Sequence, residues 1–358
     1  MIAASQPGLV VKLRPTGPWR IGSDSGARDE VGLTYHSDSL YSAVTGAMRL
    51  LGMLEEWLDA TARHPSGPAA RFSSLFPFHN EIGFVAPPRS IWPPPASTKV
   101  RWKGAQFIPL GLVAPLLSGR ALEEDQWDVD GPSHCLVPAG RPGPFRVGIR
   151  TGAAIDRVVP GNAEPYTVAC IDFAPGAGLW TVISFSDQEQ KERWDGPVRA
   201  ALRLLADSGL GGERGRGWGR ADAPEFIEGL LPQMILPDQP AEPAALAETE
   251  ATGAQVQPEP MESASAYWLL SLFSPAATDA VDWSRGNYRV LPRGGRVESP
   301  VRSGDLKKVV NMVAEGSVVL APNAILGAVT DVAPDGFPHQ VYRSGFALAI
   351  PIRWQATA

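Results

Sequence analysis

The sequence predicts an α+β fold made of two βαββαβ units in tandem, each with helices over one face of its sheet and the other face open. Three observations predict it. Runs rich in β-branched residues alternate with amphipathic helical stretches in the order strand, helix, strands, helix. That order recurs loosely near the carboxy terminus. Between the two lies a Pro-, Ala- and Glu-rich stretch, residues 237–266, with no aromatic residue before its end, which cannot bury enough apolar surface to offset its ordering entropy. The expected organisation is an amino-terminal unit over 1–236, an acidic linker over 237–266 and a carboxy-terminal unit over 267–358.

Residues 9–15 (LVVKLRP) form a short strand. After a loop, Ser37 or Asp38 is placed to cap the next helix. Leu40, Val44, Ala47, Met48, Leu51, Leu54 and Leu58 recur at helical spacing as one apolar stripe. Residues 71–78 and 86–95 alternate like strands but contain proline, which assigns them to sheet edges or extended loops. The stretch 99–148 reads as irregular, with a helix near 110–122. Residues 166–173 and 179–185 read as a hairpin turning through Pro-Gly-Ala-Gly. A second amphipathic helix covers 195–208 and stops at Gly209. In the carboxy-terminal unit a strand covers 267–275, a hairpin over 287–300 turns at 293–296, a short helix covers 306–314, and strands follow at 317–321 and 345–352.

The chain has 358 residues, 44% hydrophobic and 20% charged, which suffices for a sizeable core. Its 37 Gly and 35 Pro follow no fixed period and signal many turns and long loops. No apolar run approaches the roughly 18 residues that cross a bilayer, and the first residues lack the basic-then-apolar order of a secretory signal. Cys135 and Cys170 are too few for a disulfide framework, and His134-Cys135 is not ligand spacing. The expectation is a soluble, cytoplasmic protein without a metal or other cofactor. The net charge of −6 hides a division: residues 221–284 hold 11 acidic groups and no Lys or Arg. Elsewhere 32 basic residues face 27 acidic ones, and 26 of the 32 are Arg. Arg forks onto phosphate, although a GC-rich genome also raises its share.

The sharpest motif is GLGGERGRGWGR, residues 209–220. Gly211, Gly212, Gly215 and Gly217 let backbone amides turn toward an anion, Arg214, Arg216 and Arg220 add guanidiniums, and Trp218 offers a stacking face. The set suits a single-stranded phosphodiester chain. It follows a helix and lacks the GK[ST] step, so neither a P-loop nor a dinucleotide fingerprint fits. A surface loop with incidental arginines is the competing reading. His36 is the one candidate for acid–base chemistry; His64, His79, His134 and His339 lie in unrelated segments. A helix-start histidine bonding backbone or phosphate is the simpler alternative. Arg293 and Arg296 flank a turn and reach either phosphate or solvent. Trp19, Trp92, Trp102 and Trp127 lie in loop-like regions, where packing is the commoner fate of Trp.

The ordered motifs resemble the RAMP superfamily of type III CRISPR–Cas effector complexes, and within it the fourth-subunit family of the Csm (type III-A) complex. The blocks are LTYHSDSLYSAVTGAMRLLG (33–52), FSSLFPF (72–78), APPRSIWPPP (86–95), IRTGAAIDRVVPGNAEPY (149–166), the glycine-rich loop, GNYRVLPRGGRV (286–297), DVAP (331–334) and HQVYRSGFALAIPI (339–352). The linker is long for the family, and 128–146 is unusually rich in Gly and Pro. The resemblance implies tandem ferredoxin-like (RRM-like) domains with an inserted thumb hairpin, over about 128–172. It implies a non-catalytic subunit that holds the 5′ tag of crRNA and contacts the large polymerase/cyclase-like subunit and the adjacent backbone RAMP subunit, with no membrane partner. It maps the loop glycines, Arg214, Arg216 and Trp218 to the tag, Arg150, Asp156 and Arg157 to the thumb, and His36, Ser37 and Asp38 to the helix start. Arg14 and Arg293 complete the expected RNA-binding set. The alternative within the superfamily is a metal-independent endoribonuclease that processes crRNA precursors with His36 as general acid or base.

Overall fold

The computed structural model describes residues 5–22, 26–94, 100–155, 163–237 and 265–354. Asp156, Arg157 and nearly all of the expected linker lie outside the described residues. The elements, in chain order, are β1 (Gln6–Leu13), α1 (Ser37–Leu50), α2 (Leu54–Ala60), β2 (Ala70–Phe72), β3 (Phe76–His79), β4 (Ile82–Val85), β5 (Ile108–Pro109), α3 (Val113–Leu117), β6 (Trp127–Asp130) and β7 (Cys135–Pro138). They continue with β8 (Phe145–Ile155), β9 (Ala163–Phe173), β10 (Ala177–Phe185), α4 (Gln188–Ser208), β11 (Glu225–Leu231), β12 (Ser265–Leu269), β13 (Asp282–Asn287) and β14 (Val290–Arg293). The last are β15 (Val310–Val313), β16 (Val318–Ala321), β17 (Val329–Asp331), β18 (Tyr342–Ser344) and β19 (Ala349–Ile352).

The larger sheet runs β11-β1-β10-β3-β4-β5, with β2 paired to β10 beside β3, and its neighbours are antiparallel. Over one face lie α1, α2 and α4. Leu40, Val44 and Met48 of α1, Trp57 of α2, and Val198 and Leu202 of α4 pack on Leu9, Val11, Ile183 and Phe185. Gly52, at φ 77°, ends α1, so the single apolar stripe is divided between α1 and α2. The start of α4 lies seven residues before the expected one, where Asp187 accepts a hydrogen bond from the Gln190 amide at 2.8 Å. Pro197 sits inside it.

The other sheet face is not open. Every residue of β10 is buried, the polar Thr181 and Ser184 included, as in a strand covered on both faces. Trp180 and Val182 face away from the helices into a second core that also contains Trp268, Leu270, Val318 and Ile350. Those residues belong to, or directly follow, the smaller antiparallel sheet, β13-β16-β12-β19. The two sheets therefore share a core. β3 likewise lies inside the larger sheet, between β10 and β4, and not at its edge.

Three expected elements differ. β9 and β10 are joined by a tight turn but do not pair: β9 runs with β8 over eleven residue pairs, from Phe145↔Phe173 to Ile155↔Ala163. This ribbon lies largely within the segment expected for the inserted hairpin, and it is buried at its base and exposed at Val147, Ile149 and Ile155. The hairpin at 287–300 is absent, because β13 pairs with β16 and β14 with β15. The helix at 306–314 is replaced by an extended segment ending in β15. Its β-branched Val309, Val310 and Val313 favour a strand, and β14 supplies the partner. No helix occurs among the described residues of 265–354. Residues 127–138, expected to be irregular, form the β6–β7 hairpin.

Candidate nucleic-acid interface

The start of α1 joins the two halves of the molecule. His36 is the N-cap residue and makes no side-chain cap hydrogen bond, whereas Asp38 Oδ1 accepts the Ser39 amide of the first turn at 2.7 Å. The other polar groups at this start point elsewhere. The buried Ser37 hydroxyl accepts from the Leu272 amide at 2.9 Å. Asp38 is fully buried and takes the Arg293 guanidinium at 3.1 and 3.2 Å, and it also pairs with Arg343. Burial pushes the Asp38 carboxyl up, but Arg293, Arg343 and His36 reverse this and hold it below the usual carboxylate range. His36 Nδ1 lies 2.7 Å from Glu315 Oε1, and the Ser74 hydroxyl donates to the same oxygen. Glu315 is held low in the same way: burial raises it, and His36 and Ser74 outweigh the burial. His36 therefore has a partner, which spacing along the chain does not reveal.

The glycine-rich loop is clamped rather than slack. Leu210 N–H donates to Gly219 O (2.9 Å), Gly212 N–H to Arg20 O (2.8 Å) and Gly219 N–H to Pro18 O (2.9 Å). A Cβ at Gly211 would run into Arg20 O and one at Gly219 into Leu210 O, and both glycines have positive φ. At the tip, Arg214–Arg216 make one 3₁₀ turn between Glu213 and Gly217. Arg214, Gly215, Arg216 and Arg220 are exposed, and a side chain at Gly215 would meet open space. Trp218 corrects the sequence reading. It is buried against Val168, Cys170 and Tyr166 and presents no open stacking face. Arg216 lies over the Tyr166 ring at 5.2 Å, which ties the loop to β9 of the ribbon.

A cleft of about 370 Å³ lies between α1, the glycine-rich loop and the 294–307 segment. Arg49, Arg214, Arg296, Lys307 and Arg343 line it, against the acids Asp38 and Glu298. A second cavity of about 520 Å³ shares Tyr35, Ser39 and Gly294–Arg296 in its walls and extends past His36 and Arg293. Arg214 pairs with Glu298 at 2.6 Å across the mouth, with both side chains exposed. The Lys307 amide donates to Gly295 O at 2.9 Å, but its side-chain ammonium makes no hydrogen bond or ion pair among the described residues. Burial, then Arg343, pushes its ammonium below the usual value. Burial, then the Asp38 carboxylate, pushes the Tyr35 phenol up.

The sequence-derived residues are thus divided. Gly211, Arg214, His36 and Arg293 line the two cavities, Gly212 packs against Arg20, and Gly215, Arg216 and Gly217 lie at the adjoining tip. Ser37 and Trp218 point inward. Arg14 is elsewhere, paired with Glu225 at 2.7 Å and lying over Phe78. Arg150 is on the ribbon, 2.7 Å from Asp172. Lys307, Arg343 and Arg49 are additions; no local pattern marks them, because the fold brings them together from 49 to 343. Trp19 and Trp102 are core residues, and Trp92 stacks on Trp102 at 5.7 Å. Among the described residues no group of three or more His, Cys, Asp or Glu could hold a metal ion.

Residues 262–352 match the family model of the CRISPR Csm4 C-terminal domain. Solved structures extend the likeness of fold to nearly the whole length of the chain. A chain of the Csm3–Csm4 subcomplex of the type III-A CRISPR–Cas interference complex superposes with a TM-score of 0.60 at 16% identity, covering 96% of this chain and 99% of that one. A chain of a Csm1–Csm4 cassette in complex with cA4 gives 0.56 at 18% identity, covering 98% and 99%. No curated protein matches. The chain is thus an antiparallel α+β protein with a cation-lined cleft where its two sheets' loops meet.

Proposed function

We propose that this chain is a non-catalytic crRNA-binding subunit of a type III CRISPR interference complex. It caps the repeat-derived 5′ tag and bridges the large polymerase-like subunit to the RAMP backbone. One observation carries the reading: the cleft beside the glycine-rich loop gathers five Lys or Arg against two acids. A phosphodiester chain supplies the missing negative charge. The Csm1–Csm4 and Csm3–Csm4 pairings of similar folds support the two protein partners.

The geometry around His36 favours this over RNA cleavage. His36 Nδ1 is engaged by the buried Glu315 carboxylate, and no other histidine lines the two cavities to serve as the partner acid or base on an RNA 2′-OH and leaving oxygen. Binding of tag-containing crRNA, followed by anisotropy over a salt series, tests the proposal. Affinity falls log-linearly with salt, and Lys307→Ala and Arg214→Ala each weaken binding and lower the salt slope by about 1. Affinity indifferent to salt, or unchanged slopes in both variants, refutes it. Metal-free cleavage of repeat RNA that His36→Ala abolishes establishes the nuclease instead.

A further inference from the structure

A second cationic place lies apart from the RNA cleft and shares no lining residue with it. Arg71 of β2 stands directly opposite Ser184 of β10 in the antiparallel register, on the seam between the two sheets. Its Nε is closed off from solvent with no partner, and no nitrogen of its guanidinium makes a hydrogen bond or ion pair among the described residues. Asp279 acts on it only from a distance; that carboxylate already accepts the amides of Ala276, Leu326 and Gly327. A guanidinium stays protonated, so a largely buried one without a counter-charge is strongly unfavourable.

The surroundings supply donors and no acid. Arg71 lines a cleft of about 150 Å³ with Gln6, Ser184, Leu231, Tyr267 and Pro351 among its walls, and no Asp or Glu contributes. The Ser184 hydroxyl donates to Gln6 Oε1 at 2.8 Å, which leaves the Gln6 amide NH₂ as a donor. Arg71, Ser184 and Gln6 stand on the neighbouring strands β2, β10 and β1, and Tyr267 enters from β12 of the other sheet. The space is a few times the roughly 30 Å³ that one water occupies. It is well below the roughly 300 Å³ at which drug-sized pockets begin. We propose that this cleft is a binding site for a small oxyanion, a phosphate or short carboxylate, with the Arg71 fork as principal ligand and Gln6 as second donor.

The test is thermal unfolding of the full chain, titrated with inorganic phosphate and separately with acetate, at ionic strength fixed with sodium chloride. Wild type shows a saturable rise in Tm with at least one of the two anions, and which one responds identifies the oxyanion. In Arg71→Met the apparent Kd rises at least tenfold; in Arg285→Ala, at an exposed position that lines neither the RNA cleft nor this one, it stays within twofold. No saturable response in wild type overturns the proposal. So does a response kept in Arg71→Met, or one lost in Arg285→Ala. Should Arg71→Met fail to fold, Gln6→Ala carries the test: a severalfold weaker response supports the site, and an unchanged one overturns it.

Discussion

Asp38 carries much of the connection between the two halves of the chain. With its side chain only 2% exposed, it neutralises two guanidiniums that arrive from 255 and 305 residues away. Asp38→Asn leaves both cations in place and removes their counter-charge, a change that costs about 3–5 kcal/mol for a buried pair. Urea denaturation reads this as a lower midpoint with an unchanged slope; an unshifted midpoint contradicts the role. The pH dependence has a definite sign. Asp38 and Glu315 both have folded-state pKa values below their unfolded ones. Their stabilisation is complete above the unfolded carboxylate range, near pH ~4, and is lost as pH falls through the lower folded values. The acid limb of the stability profile is therefore shallower in Asp38→Asn than in wild type. At the cleft mouth the Arg214–Glu298 pair is exposed and contributes at most about 1 kcal/mol. A phosphate can take Arg214 from Glu298 at little cost.

Among the elements, the glycine-rich loop was legible and its neighbours less so. Six glycines in eleven positions announce tight backbone turns from local sequence alone. The apolar spacing of α1 and α4 does the same for helices, because both signals are local. The partner of a strand is not a local property. A turn sequence joins β9 to β10, yet each finds its apolar match elsewhere, β9 in β8 and β10 in β1. Residues 306–314 place apolar groups at a spacing that serves a helix or a strand, and pairing with β14 decides. Trp218 was misread for the same reason: its burial depends on the ribbon that covers it. Within the loop the glycines are not equivalent. Gly219→Ala forces a Cβ onto Leu210 O at φ 78° and destabilises by more than about 1 kcal/mol. Gly215→Ala meets open space and stays within about 0.5 kcal/mol. Parallel thermal melts check the contrast, and equal losses would mean that the loop is not clamped.

For the whole molecule, the composition of the acidic stretch suggested two separable units, whereas the second core is built from both sheets. Without residues 265–354, Phe76, Trp180 and Val182 lose the apolar wall formed by Trp268, Leu270 and Ile350. A fragment ending at 237 is expected to bind a hydrophobic dye and to melt without a sharp transition, and adding residues 265–354 in trans should restore one. A cooperative melt of the fragment alone, at the Tm of the full chain, would show that the larger sheet needs no such wall.

The 305 residues between Asp38 and Arg343 also set a schedule. At about 5–20 residues per second, a ribosome takes roughly 15–60 s to make the second after the first. Throughout that interval the nascent α1 has a carboxylate awaiting its cations, and the groove between the loops has only one bank. A nascent chain that has not yet reached residues 294–307 therefore holds the glycine-rich turn but not the opposing wall, and the groove takes its shape only once those residues are made.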